Sequence, residues 1–163
     1  MHSSDPRLDV AAVPPEAEFT RFFEMEHRAQ IRRAVLMLGE RTLAEDVVND
    51  AFAAVWQRWR LLTDPAPYLN RCVLNGCRDA ATSRVRSRHR FQRLTVSHRE
   101  ATEPVEVLAD VLARLPFNQR CAIVLHYYGG LSNVQIAEAM KCSLGSVGPW
   151  IQRAKDQLRR ELT

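Results

Sequence analysis

Apolar residues recur every three or four positions through most of this chain, and no stretch alternates apolar with polar residues as a half-buried strand does. That spacing places an apolar stripe along one side of a helix, so the chain can bury its apolar residues by packing helix against helix. Its 163 residues, 46% of them apolar, provide for one compact domain or two small ones. We therefore predict an all-α fold of two small helical domains joined by a flexible linker.

Changes in composition set the predicted domain boundaries. Residues 1–15 hold three prolines and little periodicity, which predicts a flexible N-terminal lead-in. Residues 16–86 are the predicted first domain and residues 107–163 the predicted second domain. Between them, residues 87–106 lose the periodic pattern and turn acidic towards Glu106, as is typical of a linker.

The first predicted domain combines an acidic helix face with a basic segment. Residues 42–45 (TLAE) form a capping-box pattern, which predicts the start of a helix running to about Trp59. A further helix is predicted after a proline turn at 64–67. From residue 71 to residue 99 there are eight arginines and one acid, the strongest charge asymmetry in the chain. A polyanionic partner would suit this segment.

The second predicted domain ends in two short helices around a tight turn. Pro116 separates two helices, and Gly129-Gly130 ends the second of them. A second capping box at residues 132–135 (SNVQ) opens a short amphipathic helix. Residues 141–143 then turn the chain into the last helix, an arrangement that matches the DNA-reading helix-turn-helix.

Three segments in this order resemble the small two-domain sigma factors of bacterial RNA polymerase, the extracytoplasmic-function group. They are LAEDVVNDAFAAVW, PAPYLNRCVLNGCRDAATSRVRSR, and LARLPFNQRCAIVLHYYGGLSNVQIAEAM followed by GSV and RAKDQLRREL. The resemblance covers residues 16–162. It implies an α-helical protein that binds core RNA polymerase, directs it to promoter DNA and opens the −10 element, with no catalysis of its own.

The resemblance also implies three sets of binding residues. An acidic, amide-bearing face would dock on the polymerase clamp through charge complementarity, and its residues are Asp46, Asn49, Asp50 and Gln57. Arginines that neutralise phosphates, with side chains that hold unstacked bases, would bind the −10 element; the candidates are Tyr68, Arg71, Asn75, Arg78, Arg84, Arg86 and Arg88. The candidates for the −35 element are Ser143, Ser146, Trp150, Arg153 and Lys155.

Gly148 and Pro149 stand side by side in the helix that should read DNA, although both residues weaken a helix interior. We expect this helix to start late, with Ser146 or Gly148 as its cap and Pro149 at its first position, where the missing N–H removes no hydrogen bond. The alternative is a start after Ser143 and a bend at Pro149. The resemblance implies a lysine and a small polar residue here, so we expect −35 recognition to be weak or altered.

Other classes of protein find little support in the sequence. The four cysteines form no C-x-x-C pair and have no histidine at finger spacing, so we expect buried free thiols, no metal and no cofactor. No constellation typical of an enzyme or of a small-molecule substrate site is present. No apolar run of 18 residues occurs, which predicts a cytoplasmic protein without membrane insertion.

Two further expectations concern partners. Members of this family are often held by an anti-sigma factor, which is therefore a candidate partner. The alternative function is that of a sigma-like regulator whose second domain binds a protein instead of the −35 element.

Overall fold

The computed structural model describes residues 13–91 and 104–162, with side chains described outside residues 84–91. All regular structure in these residues is helical, which confirms the all-α prediction. The elements are α1 (Pro15–Leu38), α2 (Arg41–Gln57), a 3₁₀ helix (Trp59–Leu61), α3 (Pro65–Phe91), α4 (Pro104–Leu112), α5 (Phe117–Tyr127), α6 (Asn133–Met140) and α7 (Leu144–Glu161). We call α1–α3 with the 3₁₀ helix the N-terminal helices, and α4–α7 the C-terminal helices.

Aromatic rings join α1, α2 and the 3₁₀ helix. Phe52 of α2 is 2% exposed and meets the rings of Phe19, Phe22 and Phe23 at centroid distances of 6.4, 5.9 and 4.8 Å. Trp59 meets the Phe19 ring edge to face at 5.3 Å. Such tilted and edge-to-face contacts add to the apolar area that the rings bury. This cluster fixes how α2 lies on α1.

Helix α3 lies close to α2 because of Gly76. A Cβ atom at position 76 would come within 2.7 Å of Val47 Cγ1, so any side chain there would push the two helices apart. Asp64 accepts a hydrogen bond from the Ala66 N–H at 3.2 Å at the start of α3. The helix that bears the acidic face, α2, therefore packs closely against α3.

Three of the four C-terminal helices, α4, α5 and α6, are short. Specific hydrogen bonds hold the ends of the C-terminal helices. The predicted capping box of α6 is confirmed: Ser132 accepts from the Gln135 N–H, and Gln135 accepts from the Ser132 N–H. The Nε2 of Gln157 donates to the Arg114 carbonyl at 3.1 Å, which ties α7 to the segment after α4. These bonds satisfy backbone groups that helix ends leave without partners.

The first predicted capping box is wrong. Helix α2 begins at Arg41, its N-cap Glu40 has an extended backbone, and no side chain caps it. Gly39 has a left-handed backbone (φ 76°) and ends α1. Only Gly39 and Glu40 therefore lie between the two helices. Thr42 therefore already lies within the first turn, where its hydroxyl cannot serve as the N-cap.

Helices extend into both ends of the predicted linker. Helix α3 continues to Phe91 and α4 begins at Pro104, whereas the linker was predicted at 87–106. The rest of that segment, residues 92–103, and most of the predicted lead-in lie outside the described residues. The domain limits at 16–86 and 107–163 stay a prediction.

The N-terminal and C-terminal helices pack against each other and share one buried core. Helix α1 packs against α4 and α5, and α3 packs against α6. The guanidinium of Arg120 in α5 donates to the carbonyl oxygen of Met37 at the end of α1 at 2.6 Å. It also donates to the carbonyls of Leu112, Ala113 and Leu115 at 3.1, 3.4 and 3.0 Å. One side chain thus satisfies helix-end carbonyls on both sides of the junction.

Candidate polymerase and promoter surfaces

The acidic face of α2 is exposed as a single surface. All four of its predicted residues, Asp46, Asn49, Asp50 and Gln57, are exposed. The opposite side of the same helix is buried, with Val48, Phe52 and Val55 no more than 2% exposed. A spacing of three, four and seven residues puts side chains on one side of a helix. The structure therefore brings the four candidates together.

A histidine of α1 borders the acidic face, which the sequence did not indicate. The Nε2 of His27 and the Oδ1 of Asn49 lie 2.9 Å apart in a hydrogen bond. The imidazole also stacks on the Phe23 ring, with centroids 4.4 Å apart. His27 thus orients the Asn49 amide. The two residues are 22 positions apart, and only the packing of α1 on α2 brings them together.

Trp56 is an exposed aromatic residue of α2. Of its surface, 42% is exposed, whereas Phe52 of the same helix is buried. With Trp59, Leu61 and Pro15 it lines an open cavity of about 330 Å³. Leu61 is 84% exposed. Glu16, Gln57 and Arg60 also line this cavity, so it adjoins the acidic face at Gln57.

The start of α3 places an aromatic ring near two arginines. The guanidinium carbons of Arg58 and Arg71 lie 5.6 and 6.0 Å from the centroid of the Tyr68 ring. This is cation–π geometry, which holds the two charges beside the ring. Asn75 follows one turn after Arg71 and is half-buried.

The remaining −10 candidates divide into two groups. Arg78 lies at the junction with the C-terminal helices and makes a long hydrogen bond, 3.5 Å, to the Met140 carbonyl at the end of α6. Arg84, Arg86 and Arg88 belong to α3 by their backbone, and their side chains lie outside the described residues.

Helix α7 starts early, so the expected late start is wrong. Ser143 is the N-cap, the helix begins at Leu144, and Pro149 lies inside it. A residue before proline is normally kept out of the α region because its Cβ meets the proline ring. Gly148 has no Cβ, which removes that clash. Burial of Val147, Ile151 and Ala154 holds the helix on the core across Pro149.

The predicted −35 residues occupy different sides of α7. Ser143 and Ser146 hydrogen-bond to each other, with their hydroxyl oxygens 2.6 Å apart. Trp150 packs against the core. Arg153 is exposed, whereas the Lys155 ammonium lies 5.4 Å from the centroid of the Tyr127 ring. Gln152, which was not among the predicted residues, is exposed beside Arg153.

The cysteines of the described residues are free thiols. Burial raises the pKa of the Cys77 thiol to about 12 and also raises the pKa of Cys121, so both stay protonated at neutral pH. Among the residues whose side chains the structure describes, no group of His, Cys, Asp or Glu is arranged to bind a metal ion. Among the helices described, none is both long and apolar enough to span a membrane.

Comparisons with known proteins agree with this geometry. Residues 106–158 match the protein family described as "Sigma-70, region 4". The chain is 28% identical over 152 residues to the RNA polymerase sigma-E factor of Streptomyces coelicolor, covering 89% of this chain and 86% of that protein. It is also 28% identical over 165 residues to the ECF RNA polymerase sigma factor SigL of Mycobacterium tuberculosis, covering 93% of both.

Two solved structures share the fold. RpoE of Bartonella quintana, in complex with the anti-sigma factor NepR, has a TM-score of 0.75 at 19% identity and covers 89% of this chain and 96% of its own. CnrH, in complex with the cytosolic domain of CnrY, has a TM-score of 0.69 at 26% identity, with coverage of 90% and 88%.

The helix-turn-helix that ends this all-helical chain is therefore a sigma region 4, which makes the protein an RNA polymerase sigma factor. Its relatives match across nearly the whole chain, N-terminal helices included. Over most of its length the chain is similar to the extracytoplasmic-function sigma factors.

Proposed function

We propose that this sigma factor docks on the clamp of core RNA polymerase through the acidic face of α2. The observation that carries the proposal is the exposure of Asp46, Asn49, Asp50 and Gln57 on one side of a helix whose other side is buried. An acidic face of this kind suits a basic helical partner, since complementary charge guides docking and excludes wrong partners.

The segment after this helix is the proposed −10 surface. Tyr68 is half-buried and would place an aromatic ring beside two phosphate-neutralising charges, those of Arg58 and Arg71. Unstacked bases bind to surfaces that combine these two features. The arginines at 84, 86 and 88 would extend the basic surface along DNA.

The −35 surface is the proposed role of α6 and α7. Helix α7 presents Gly145, Gly148 and Pro149 in its first two turns, so the phosphate and base contacts of those turns are reduced. We expect the promoter preference to depend more on the −10 surface and on residues further along α7. The alternative of a purely protein-binding second domain is not favoured, since residues 106–158 match sigma region 4.

This role requires no catalysis by the chain, and it takes place in the cytoplasm, where RNA polymerase acts. An anti-sigma factor is a proposed further partner. The support for it is that RpoE of Bartonella quintana, which shares this fold, was solved with the anti-sigma factor NepR.

The test is binding of the purified protein to bacterial core polymerase. Asp50→Arg puts a like charge against a basic partner surface, so we expect affinity to fall about a hundredfold or more. Glu138→Arg, an equal charge reversal at an exposed position of α6, is the matched control and should bind as the wild type does. Unchanged binding by Asp50→Arg would contradict the docking face.

A further inference from the structure

We propose that Gln152 is a specificity-determining residue of this sigma factor, reading an adenine in the −35 element, and that Asp156 positions it. This inference rests on the proposed function, because it assigns a base contact to the helix that reads promoter DNA.

The first observation is where Gln152 lies. It is exposed on α7, opposite the buried stripe of Val147, Ile151 and Ala154 that holds this helix on the core. In a helix-turn-helix the exposed side of the second helix enters the major groove. Gln152 therefore belongs to the side of α7 that faces DNA in such a complex.

The second observation is the hydrogen bond that Gln152 makes. Its Nε2 donates to Asp156 Oδ1 at 3.0 Å, one turn further along the same helix. A glutamine amide has two N–H donors and one carbonyl acceptor. The bond to Asp156 uses one donor and limits rotation of the amide. One N–H and the carbonyl oxygen remain for a base.

That remaining pair matches one base. Adenine presents an N7 acceptor and an N6 donor in the major groove, and glutamine binds both at once. Guanine presents two acceptors there and would face the glutamine carbonyl with a repulsive contact. The amide held by Asp156 therefore favours adenine.

The charges around Gln152 agree with a base contact. Asp156 is itself 3.9 Å from the guanidinium of Arg159, which offsets its negative charge near DNA. Arg153, exposed next to Gln152, can neutralise a phosphate. Gln152 has no charge to offer a phosphate, so its contribution should be to base preference and not to the salt dependence of binding.

The experiment selects promoters with the reconstituted holoenzyme from a library randomised across the −35 element. For Gln152→Ala we expect the preference for adenine at one position to fall about tenfold, with the slope of affinity against salt unchanged. Asp156→Ala should weaken the same preference by a smaller factor, because it frees the amide to rotate.

Gln157→Ala is the matched control. Gln157 lies on the same helix but bonds to the Arg114 carbonyl, so its removal should leave base preference unchanged. Equal adenine preference in Gln152→Ala and wild type would overturn the proposal, as would a loss spread evenly over all positions. If the wild-type protein does not bind core polymerase at all, the proposed function fails first, and this binding step is measured before the selection.

Discussion

The N-terminal and C-terminal helices are stabilised in different ways. Helices α1, α2 and α3 have 24, 17 and 27 residues, and α1 and α2 are joined by a cluster of aromatic rings. Three of the four C-terminal helices have 9, 11 and 8 residues, and they depend on hydrogen bonds from side chains to helix ends. A short helix has a larger share of unpaired end groups and is marginal by itself. Both groups bury apolar residues in one core. What differs is the addition to that core: ring contacts in the first group, and side-chain hydrogen bonds to helix ends in the second.

The largest effect should come from the aromatic cluster. Phe52→Ala removes a buried ring that contacts four others, and we expect the free energy of unfolding to fall by about 3–5 kcal/mol. Trp56→Ala, at the exposed edge of the same helix, should cost no more than about half of that. Urea unfolding followed by circular dichroism measures both. Equal losses would show that the cluster does not depend on burial of Phe52.

Arg120 tests the dependence of the C-terminal helices on side-chain hydrogen bonds. Arg120→Ala leaves the carbonyls at the ends of α1 and α4 without a charged donor, and we expect a loss of about 2–3 kcal/mol. The control is Arg114→Ala, whose side chain is 67% exposed and pairs with Glu161 at 3.4 Å. An exposed pair contributes about 0–1 kcal/mol. Thermal unfolding of both variants would detect the difference, and similar melting temperatures would contradict it.

The two predicted capping boxes give the smallest and most direct comparison. Ser132→Ala removes a cap that the structure contains, and should destabilise the protein by about 1 kcal/mol. Thr42→Ala removes a hydroxyl that caps nothing, so we expect a change of at most a few tenths of a kcal/mol. If denaturant midpoints moved equally in the two variants, α2 would have a cap after all.

The apolar period predicted the helices, and the pattern SNVQ predicted the capping box at Ser132. These are local features, decided by residues within one or two turns. The errors arose where the start of a helix depends on another element of the structure. The start of α2 depends on how Gly39 ends α1, and α7 keeps its start because burial of its apolar stripe outweighs the weak Gly148-Pro149 pair.

The candidate functional site shows the same contrast between local features, which could be predicted, and features that depend on packing, which could not. The acidic face could be predicted because four residues on one helix side are defined by spacing alone. The hydrogen bond from His27 to Asn49, the arginines beside Tyr68 and the bond between Gln152 and Asp156 could not be predicted in the same way. Each depends on side-chain directions, and the first also depends on the packing of two helices.

The hydrogen bond from Arg120 to the Met37 carbonyl opposes separation of the N-terminal helices from the C-terminal helices. Separation of the two groups of helices would require that carbonyl and the buried surface around it to be hydrated again, which disfavours a separated form. A partner that engages only separated helices binds with its intrinsic affinity multiplied by the population of that form. Each tenfold decrease in the separated form weakens such a partner tenfold. Stronger packing between the N-terminal and C-terminal helices therefore weakens the affinity of any partner that binds only the separated helices.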